Sequence, residues 1–265
     1  MATFSHDGHQ IYFEMFGSGP RVLFFNGSGA TIEGSRLLIE RLAKWCEVVV
    51  HDQRGLGLTG YPSNSQYSMA DYARDGAALL DHIGWDESAV VGISFGGMVA
   101  LEFAVTWPQR VQRLALLCTS PGGAGGSSYP LHELVSKDQA ERRRIMPLLT
   151  DSRFTAEWLA THDLDRQVVE YQRAGAESPK DETRAAGEAA QLAARRHHDV
   201  WSRLGSITSP TFIAAGRYDR IAPPENSEAM ASEIAHSQLH LYEGGHIFVL
   251  QDRRAMSDLR AFLTS

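Results

Sequence analysis

The sequence predicts an α/β protein in which a mostly parallel β-sheet is flanked by helices and interrupted by an inserted helical segment. Short apolar runs alternate with helical patterns over the first 120 residues, as is typical of a parallel sheet covered on both faces. From Pro121 a glycine-rich stretch leads into helical patterns without a convincing strand, and the alternation then resumes. We therefore expect residues 1–120 and 206–265 to form the core and residues 121–205 to form a small helical cap, or lid.

The strands of this core are predicted from apolar runs bounded by turn residues. In chain order they are residues 11–16, 22–25, 48–50, 89–91, 111–118, 211–215 and 238–242. The first two are joined by a Gly-Ser-Gly-Pro turn. The sequence thus predicts a sheet assembled from short, buried strands.

Helical patterns separate most of these strands. They predict helices over about residues 33–45, 68–83, 95–107, 224–235 and 251–263. Pro108 should end the third of them, because proline cannot continue a helix. A pattern rich in Ala, Glu, Gln and Arg over about residues 180–204 predicts a long helix that returns the chain to the sheet.

Composition excludes several classes of function. At 265 residues and 43% hydrophobic, the chain can bury a large core, while its net charge of −7 leaves no basic excess for nucleic acid. Cys46 and Cys118 adjoin buried strands, so we expect core thiols in a reducing cytoplasm rather than a disulfide. Neither a signal peptide nor a long apolar span is visible, so we expect no membrane partner. The sequence leaves open whether the protein forms a homo-oligomer.

One pentapeptide is a candidate nucleophile motif. Gly92-Ile93-Ser94-Phe95-Gly96 fits G-x-S-x-G and lies between a predicted strand and an apolar helix. Glycine two residues to either side of the serine lets strand and helix approach closely around a strained turn. The pentapeptide alone fits an ordinary glycine-rich turn equally well. Its position between strand and helix favours Ser94 as the nucleophile.

A serine nucleophile requires a base, usually a histidine held by a carboxylate. Of the 11 histidines, His246 follows a predicted strand in a Gly-Gly-His turn, and Asp219 follows the preceding strand. Residues beyond the carboxyl ends of parallel strands share one edge of the sheet, so both should approach Ser94. Asp252 is the weaker alternative for the acid. His197 and His198 are adjacent on a predicted helix, which does not favour a metal site.

Other candidate site residues follow from the same edge of the sheet. The backbone N–H groups of Phe95 and Ser28 are the expected oxyanion donors, although residues 26–29 also fit a plain glycine turn. We expect Arg54 and Asp52 to fix their own loop by ion pairing and hydrogen bonds, with Arg54 binding a substrate carboxylate as the alternative. The candidate substrate-lining residues are Gly27, Tyr129, Trp158 and Phe248, together with the ring of Phe95, and aromatic packing in the core is the alternative for each.

Five motifs in chain order together resemble the α/β-hydrolase superfamily. They are Asn-Gly-Ser-Gly at 26–29, Asp-Gln-Arg-Gly-Leu-Gly at 52–57, Gly-Ile-Ser-Phe-Gly-Gly at 92–97, Gly-Arg-Tyr-Asp at 216–219 and Gly-Gly-His at 244–246. The chain is most similar to small bacterial esterases, enol-lactonases, carbon–carbon bond hydrolases and cofactor-free haloperoxidases with a helical cap. Asn26 departs from the pattern, since many relatives carry histidine there.

The resemblance implies the α/β-hydrolase fold and a triad in the order nucleophile, acid, histidine. It also implies acyl-enzyme chemistry, in which Ser94 attacks a carbonyl and His246 transfers the protons without a metal or cofactor. We expect hydrolysis of a small or medium carboxylic ester or lactone, with the cap setting specificity. The alternatives are carbon–carbon cleavage of a diketone, peracid formation as in haloperoxidases, and a ligand-binding receptor on the same fold.

Overall fold

The computed structural model describes residues 2–60, 66–134, 136–177 and 181–265. Within these ranges the strands form one eight-stranded sheet in the order β1-β2-β4-β3-β5-β6-β7-β8. Their bounds are β1 Ala2–His6, β2 His9–Gly17, β3 Arg21–Phe25, β4 Glu47–His51, β5 Ser88–Ile93, β6 Val111–Leu117, β7 Thr211–Gly216 and β8 Ser237–Tyr242. β2 pairs antiparallel with β1 and β4, and the remaining pairs are parallel. The predicted mostly parallel sheet is confirmed.

The helices cover both faces of the sheet and fill the interval between β6 and β7. Their bounds are α1 Arg36–Leu42, α2 Met69–His82, α3 Phe95–Thr106, α4 Leu131–Leu134, α5 Gln139–Thr150, α6 Ala156–Thr161, α7 Asp163–Glu177, α8 Glu182–Arg196, α9 Pro224–Glu233, α10 Phe248–Gln251 and α11 Arg253–Thr264. Short 3₁₀ helices occupy Pro108–Arg110, Gly123–Gly125 and Trp201–Ser206. In the described ranges, no helix has the length and apolar character of a membrane span.

Strand β3 shows why the sheet is buried on both faces. Leu23 and Phe25 pack into an apolar cluster with α2 and α3, whereas Val22 and Phe24 pack into a second cluster with α1 and α11. All four side chains are fully buried. Consecutive side chains of a strand point to opposite faces, so an uninterrupted apolar strand requires a layer of helices on each side.

Three elements differ from the sequence prediction. β1 was not predicted, because only Phe4 of its five residues is both apolar and buried, and the strand forms by pairing with β2. The helix predicted over residues 180–204 ends at Arg196 and is followed by the 3₁₀ helix from Trp201, while residue 180 lies outside the described ranges. The last predicted helix is divided at Asp252, whose side chain accepts from the Arg254 N–H and caps α11.

Residues 118–210, which we call the helical insertion, contain α4 to α8. The two ends of its helical part meet, because the Val200 N–H donates to the Pro121 carbonyl oxygen (2.9 Å) and Gly122 forms a β-bridge with Asp199. Helix α8 lies closely against the loop after β4, where a Cβ on Gly187 would collide with the Gly55 carbonyl. The insertion therefore leaves and rejoins the sheet at neighbouring points.

Candidate active site

Ser94 occupies the single-residue turn between β5 and α3. Its φ of 54° and ψ of −116° lie in a region that side chains with a Cβ rarely adopt. A Cβ on Gly92 would collide with Gly96, and a Cβ on Gly96 would collide with the Phe25 carbonyl. The two glycines are thus required by close backbone approach, and the turn projects Ser94 beyond the edge of the sheet.

The structure brings the three predicted triad residues together. His246 Nε2 lies 2.8 Å from Ser94 Oγ, and His246 Nδ1 lies 2.7 Å from Asp219 Oδ2. Asp219 is fully buried, and its Oδ1 accepts from the N–H groups of Ile221 (2.7 Å) and Ala222 (2.9 Å). Because Oδ1 is occupied in this way, Oδ2 remains directed at the imidazole. This arrangement can accept the Ser94 proton at Nε2.

Asp252, the alternative acid, has different partners. Its carboxylate accepts from the Glu243 N–H (3.1 Å) and forms an ion pair with Arg254 (2.6 Å). The hydrogen bond from Arg254 lowers the pKa of Asp252 to about 2. The geometry therefore favours Asp219 as the partner of His246.

Three residues that the sequence analysis did not identify hold the histidine turn in place. The His246 N–H donates to the Thr150 carbonyl oxygen (2.6 Å), and the Gly245 N–H donates to Gln251 Oε1 (2.9 Å). Gln251 Nε2 donates in turn to Asp151 Oδ2 (2.9 Å). No sequence motif links residues about 100 positions apart, so these contacts could not have been predicted. They connect the end of α5 directly to the turn that carries His246.

The loop after β3 lies beside Ser94. Gly27 lies against Ser94, since a Cβ on this glycine would be 3.7 Å from Ser94 Cβ, and Ser28 lines the same cavity as Ser94 and His246. The Phe95 N–H is the first of α3, and the first N–H groups of a helix have no acceptor within it. The N–H groups of Phe95 and Ser28 thus belong to the two segments that border Ser94.

Two glutamine side chains connect this loop to the helical insertion. Gln191 of α8 accepts from the Gly29 N–H (2.8 Å) and donates to Gln53 Oε1 (3.0 Å). Gln53 donates to the Asn26 carbonyl oxygen (2.9 Å). The side chain of Asn26 is buried, and neither of its polar atoms has a partner among the described residues. The unusual residue therefore does not hold the loop through its amide.

A cavity of about 950 Å³ opens beside Ser94 and His246. Gly27, Ser28, Ser94 and His246 form one wall, and residues of α5 and α7 form another. The apolar side chains that line it are Ala30, Leu38, Ile93, Leu131, Met146, Pro147, Val169, Ala176, Ile221 and Ile247. Arg142, Arg143, Arg173 and Glu177 line the part formed by α5 and α7.

The four aromatic residues that we expected in the pocket all lie outside its lining. Phe248 is fully buried and stacks on Tyr242, with ring centroids 5.2 Å apart, and the Phe95 ring packs edge-on to Tyr72. Trp158 stacks on His162 and donates to Asp165, outside the cavity lining. Tyr129 lines a second, smaller pocket. Of the proposed lining residues, only Gly27 contacts the main cavity.

Arg54 and His198 lie outside the lining of the main cavity. Arg54 is 2% exposed and pairs with Asp75 (2.6 Å) and Asp7 (3.2 Å), so it cannot reach a ligand in the cavity. Asp52 accepts from two backbone N–H groups rather than from an arginine. His198 contacts the Ser120 carbonyl oxygen (3.2 Å). Among the described residues, no three or more His, Cys, Asp or Glu side chains are grouped as metal ligands.

Comparison with known proteins identifies the family. Residues 20–252 match the profile of the alpha/beta hydrolase fold. The chain belongs to this family. A hydrolase from Pseudomonas aeruginosa PA01 is a structural neighbour of this α/β-hydrolase, with a TM-score of 0.81, 25% identity and coverage of 100% of this chain and 98% of the neighbour.

Two curated relatives of this α/β-hydrolase have different names. A Variovorax paradoxus (strain S110) protein, named as a candidate carbamate hydrolase RutD, is 31% identical over 202 residues, covering 75% of this chain and 74% of the relative. The 2-hydroxymuconate semialdehyde hydrolase of Pseudomonas sp. (strain CF600) is 28% identical over 244 residues, covering 87% and 81%. The protein is thus an α/β-hydrolase enzyme, and its relatives are named for more than one kind of substrate.

Proposed function

We propose that this α/β-hydrolase cleaves a small to medium carboxylic ester or lactone through an acyl-enzyme on Ser94. The hydrogen-bonded chain from Ser94 Oγ through His246 to Asp219 carries the proposal. Ser94 and His246 line a cavity of about 950 Å³, which is large enough for such a substrate. A serine hydroxyl placed 2.8 Å from an oriented imidazole is the arrangement that acyl transfer requires.

The proposed reaction has two halves. Ser94 Oγ attacks the carbonyl carbon while His246 Nε2 takes its proton, and the N–H groups of Phe95 and Ser28 bind the oxyanion. The C–O bond to the leaving alcohol then breaks as His246 returns the proton to that oxygen. In the second half, His246 activates water, which attacks the acyl carbon and releases the acid and the serine. Asp219 stabilises the imidazolium in both halves.

The helical insertion supports a role in substrate choice. We propose that residues 121–205 act as a cap, since residues of α5 and α7 line the same cavity as Ser94 and His246. Arg143 is paired with Glu177 (2.6 Å), whereas Arg142 and Arg173 have no ion-pair partner among the described residues. This part of the cavity therefore has an excess of positive charge and favours an ester or lactone that also carries a carboxylate.

Carbon–carbon bond cleavage is the second candidate. The relative named 2-hydroxymuconate semialdehyde hydrolase favours it, because its alignment covers 87% of this chain. The carbamate hydrolase name of the other relative fits the first candidate better, because a carbamate carbonyl also reacts by acyl transfer. Parallel assays on an aryl ester, a lactone and a vinylogous diketone distinguish the two candidates by which bond is broken.

We also propose a reducing, cytoplasmic location. Cys46 and Cys118 are both buried and free. Burial raises the pKa of the Cys118 thiol well above its usual value, which disfavours the reactive thiolate. Fractionation of the native host followed by detection of the protein tests the location.

The first test is a burst assay with p-nitrophenyl acetate combined with fluorophosphonate labelling and mass spectrometry. We expect a stoichiometric adduct on Ser94 and loss of both the adduct and turnover in Ser94→Ala. Ser232→Ala is the matched control, because Ser232 is exposed on α9 and its hydroxyl bonds only the Ala229 carbonyl oxygen. Labelling of a different residue, or unchanged turnover in Ser94→Ala, would refute the proposed nucleophile.

A further inference from the structure

Arg195 of α8 is a buried cation without a counter-ion. Arg195 is only 8% exposed, and its guanidinium donates to Ser128 Oγ and to the Tyr129 carbonyl oxygen (3.3 Å). Nη1 has no partner among the described residues, and no carboxylate forms an ion pair with this arginine there. The residues outside the described ranges include no Asp or Glu, so a counter-ion cannot be hidden among them.

An uncompensated buried charge is unfavourable. Taking a guanidinium out of water costs several kcal/mol unless another charge or a full set of hydrogen bonds replaces the solvent. Burial lowers the pKa of Arg195 to about 10, which leaves the side chain charged near neutral pH. The structure thus keeps a positive charge in a place that disfavours it, which indicates that an anion binds beside it.

A pocket of about 110 Å³ adjoins this arginine, and we call it the anion pocket. Its lining includes Arg195, Arg196, His132 and His198, and no Asp or Glu is among its described lining residues. On this measure one water molecule needs about 10–15 Å³, so the pocket accommodates an anion of a few heavy atoms. Its charge and size both select a small anion.

His198 makes the expected ligand more specific. Its Nε2 contacts the Ser120 carbonyl oxygen, so Nε2 carries the hydrogen and Nδ1 is an acceptor. Nδ1 is buried without a partner among the described residues, as is Nη1 of Arg195. One unpaired donor and one unpaired acceptor thus belong to residues that line the pocket. Hydrogenphosphate has both acceptor oxygens and an O–H donor, whereas sulfate and chloride have acceptors only.

We propose that the anion pocket binds a small tetrahedral oxyanion, for which inorganic hydrogenphosphate is the best chemical match. The pocket shares no lining residue with the catalytic cavity, so this is a second site and not part of the substrate pocket. Gln191, one helical turn before Arg195, bonds the Gly29 N–H beside the nucleophile. An anion that holds α8 in place would therefore also stabilise the loop after β3.

Thermal unfolding of the full chain, in buffers of constant ionic strength, tests the proposal. Phosphate raises the stability of many proteins by exclusion from their surface, so the informative quantity is the difference between wild type and Arg195→Met. At phosphate about tenfold above Kd, we expect the Tm of wild type to rise by about 3–5 °C more than the Tm of the variant. Isothermal titration calorimetry of wild type should give one site for phosphate and weaker binding of sulfate.

Further arms separate the possible explanations. Arg144→Gln, which removes an exposed arginine from α5, should respond to phosphate as wild type does. Glycerol phosphate should bind only if the anion is the end of a larger molecule, and failure to bind indicates free phosphate. Without phosphate, Arg195→Met should be at least as stable as wild type, because a buried charge is removed. Equal rises in Tm on adding phosphate to wild type and to Arg195→Met would overturn the proposal. Should the variant fail to fold, the absence of calorimetric phosphate binding to wild type would overturn it.

Discussion

The backbone at Ser94 combines reactivity with a cost in stability. Its φ of 54° is unfavourable for any residue with a Cβ by about 1–3 kcal/mol. We predict that Ser94→Gly is more stable than Ser94→Ala by about 1 kcal/mol, because both variants lose the hydroxyl but only glycine relieves the strain. Urea unfolding of the two inactive variants measures this difference. Equal stabilities would show that the turn is not strained.

The acid of the triad can be tested at the level of one atom. Replacing Asp219 by asparagine retains the shape but places an amide opposite His246 Nδ1 and favours the wrong tautomer, so kcat should fall by about 10⁴. Asp252→Asn is the matched control. Asp252 bonds Arg254 and the Glu243 N–H rather than the imidazole, so its loss should lower stability and leave kcat within about threefold. The reverse result would assign the acid to Asp252.

Residues at strand ends were predictable from the sequence, and those that reach across the fold were not. Ser94, Asp219 and His246 each follow a recognisable strand, so the sheet edge alone predicts that they converge. Asp151 and Gln251 have no motif, and their contact depends on how α5 ends against the histidine turn. The same reason explains Trp158, because the position of an aromatic residue on an inserted helix is decided by helix packing rather than by local sequence.

Helix α8 is held against the core by close backbone contact, which gives a prediction for that element. Gly187→Ala should destabilise the protein by about 1–3 kcal/mol, because its Cβ would overlap the Gly55 carbonyl. We also expect a lower kcat, since displacement of α8 removes the Gln191 bond to the Gly29 N–H. Urea unfolding and ester hydrolysis measure the two effects.

Helix α7 offers a matched control for that substitution. A Cβ on Gly175 would meet nothing within 4 Å, so Gly175→Ala should stabilise its helix by up to about 1 kcal/mol and leave kcat unchanged. If Gly187→Ala and Gly175→Ala change stability and kcat equally, the effect of Gly187→Ala does not come from the close packing of α8. A stable Gly187→Ala variant with full activity would contradict the proposed link between α8 and the loop after β3.

The arginines of α5 and α7 give a prediction on substrate charge. Arg142→Gln combined with Arg173→Gln should raise KM for a carboxylate-bearing ester by about tenfold and leave KM for a neutral ester of the same length unchanged. Arg144→Gln is the control, because Arg144 is exposed on α5 and does not line the cavity. An equal change for charged and neutral esters would argue against selection by charge.

The charge of the whole molecule makes those arginines more significant. The chain has a net charge of −7, yet the cavity wall of α5 and α7 has three arginines and one glutamate. A negatively charged surface repels anionic molecules in general, whereas the local field at the cavity attracts them. Composition revealed the first property but not the second, because the grouping of Arg142 and Arg173 depends on the packing of two inserted helices.

The stability of the whole fold should depend on pH, and we expect two buried histidines, His51 and His198, to make the largest contributions in acid. His51 is 1% exposed, and neither of its ring nitrogens has a partner among the described residues. Burial lowers the pKa of His51 to about 4, and it lowers the pKa of His198 to about 4 as well. In the unfolded chain the pKa of both histidines is about 6.5. Between about pH 4 and pH 6.5, therefore, the unfolded state binds more protons than the folded state.

Stability should consequently fall as pH decreases through this window, and the loss should be about 2 kcal/mol per histidine between about pH 7 and pH 5. We predict that His51→Phe removes its share of that loss. Any overpacking by the larger ring next to Phe25 acts equally at both pH values, so it cancels when the two free energies of unfolding are subtracted. Urea unfolding of wild type and His51→Phe at about pH 7 and pH 5 provides the four free energies of unfolding that this comparison needs. An identical pH dependence in the two proteins would show that His51 is already protonated, or accessible to protons, in the native state.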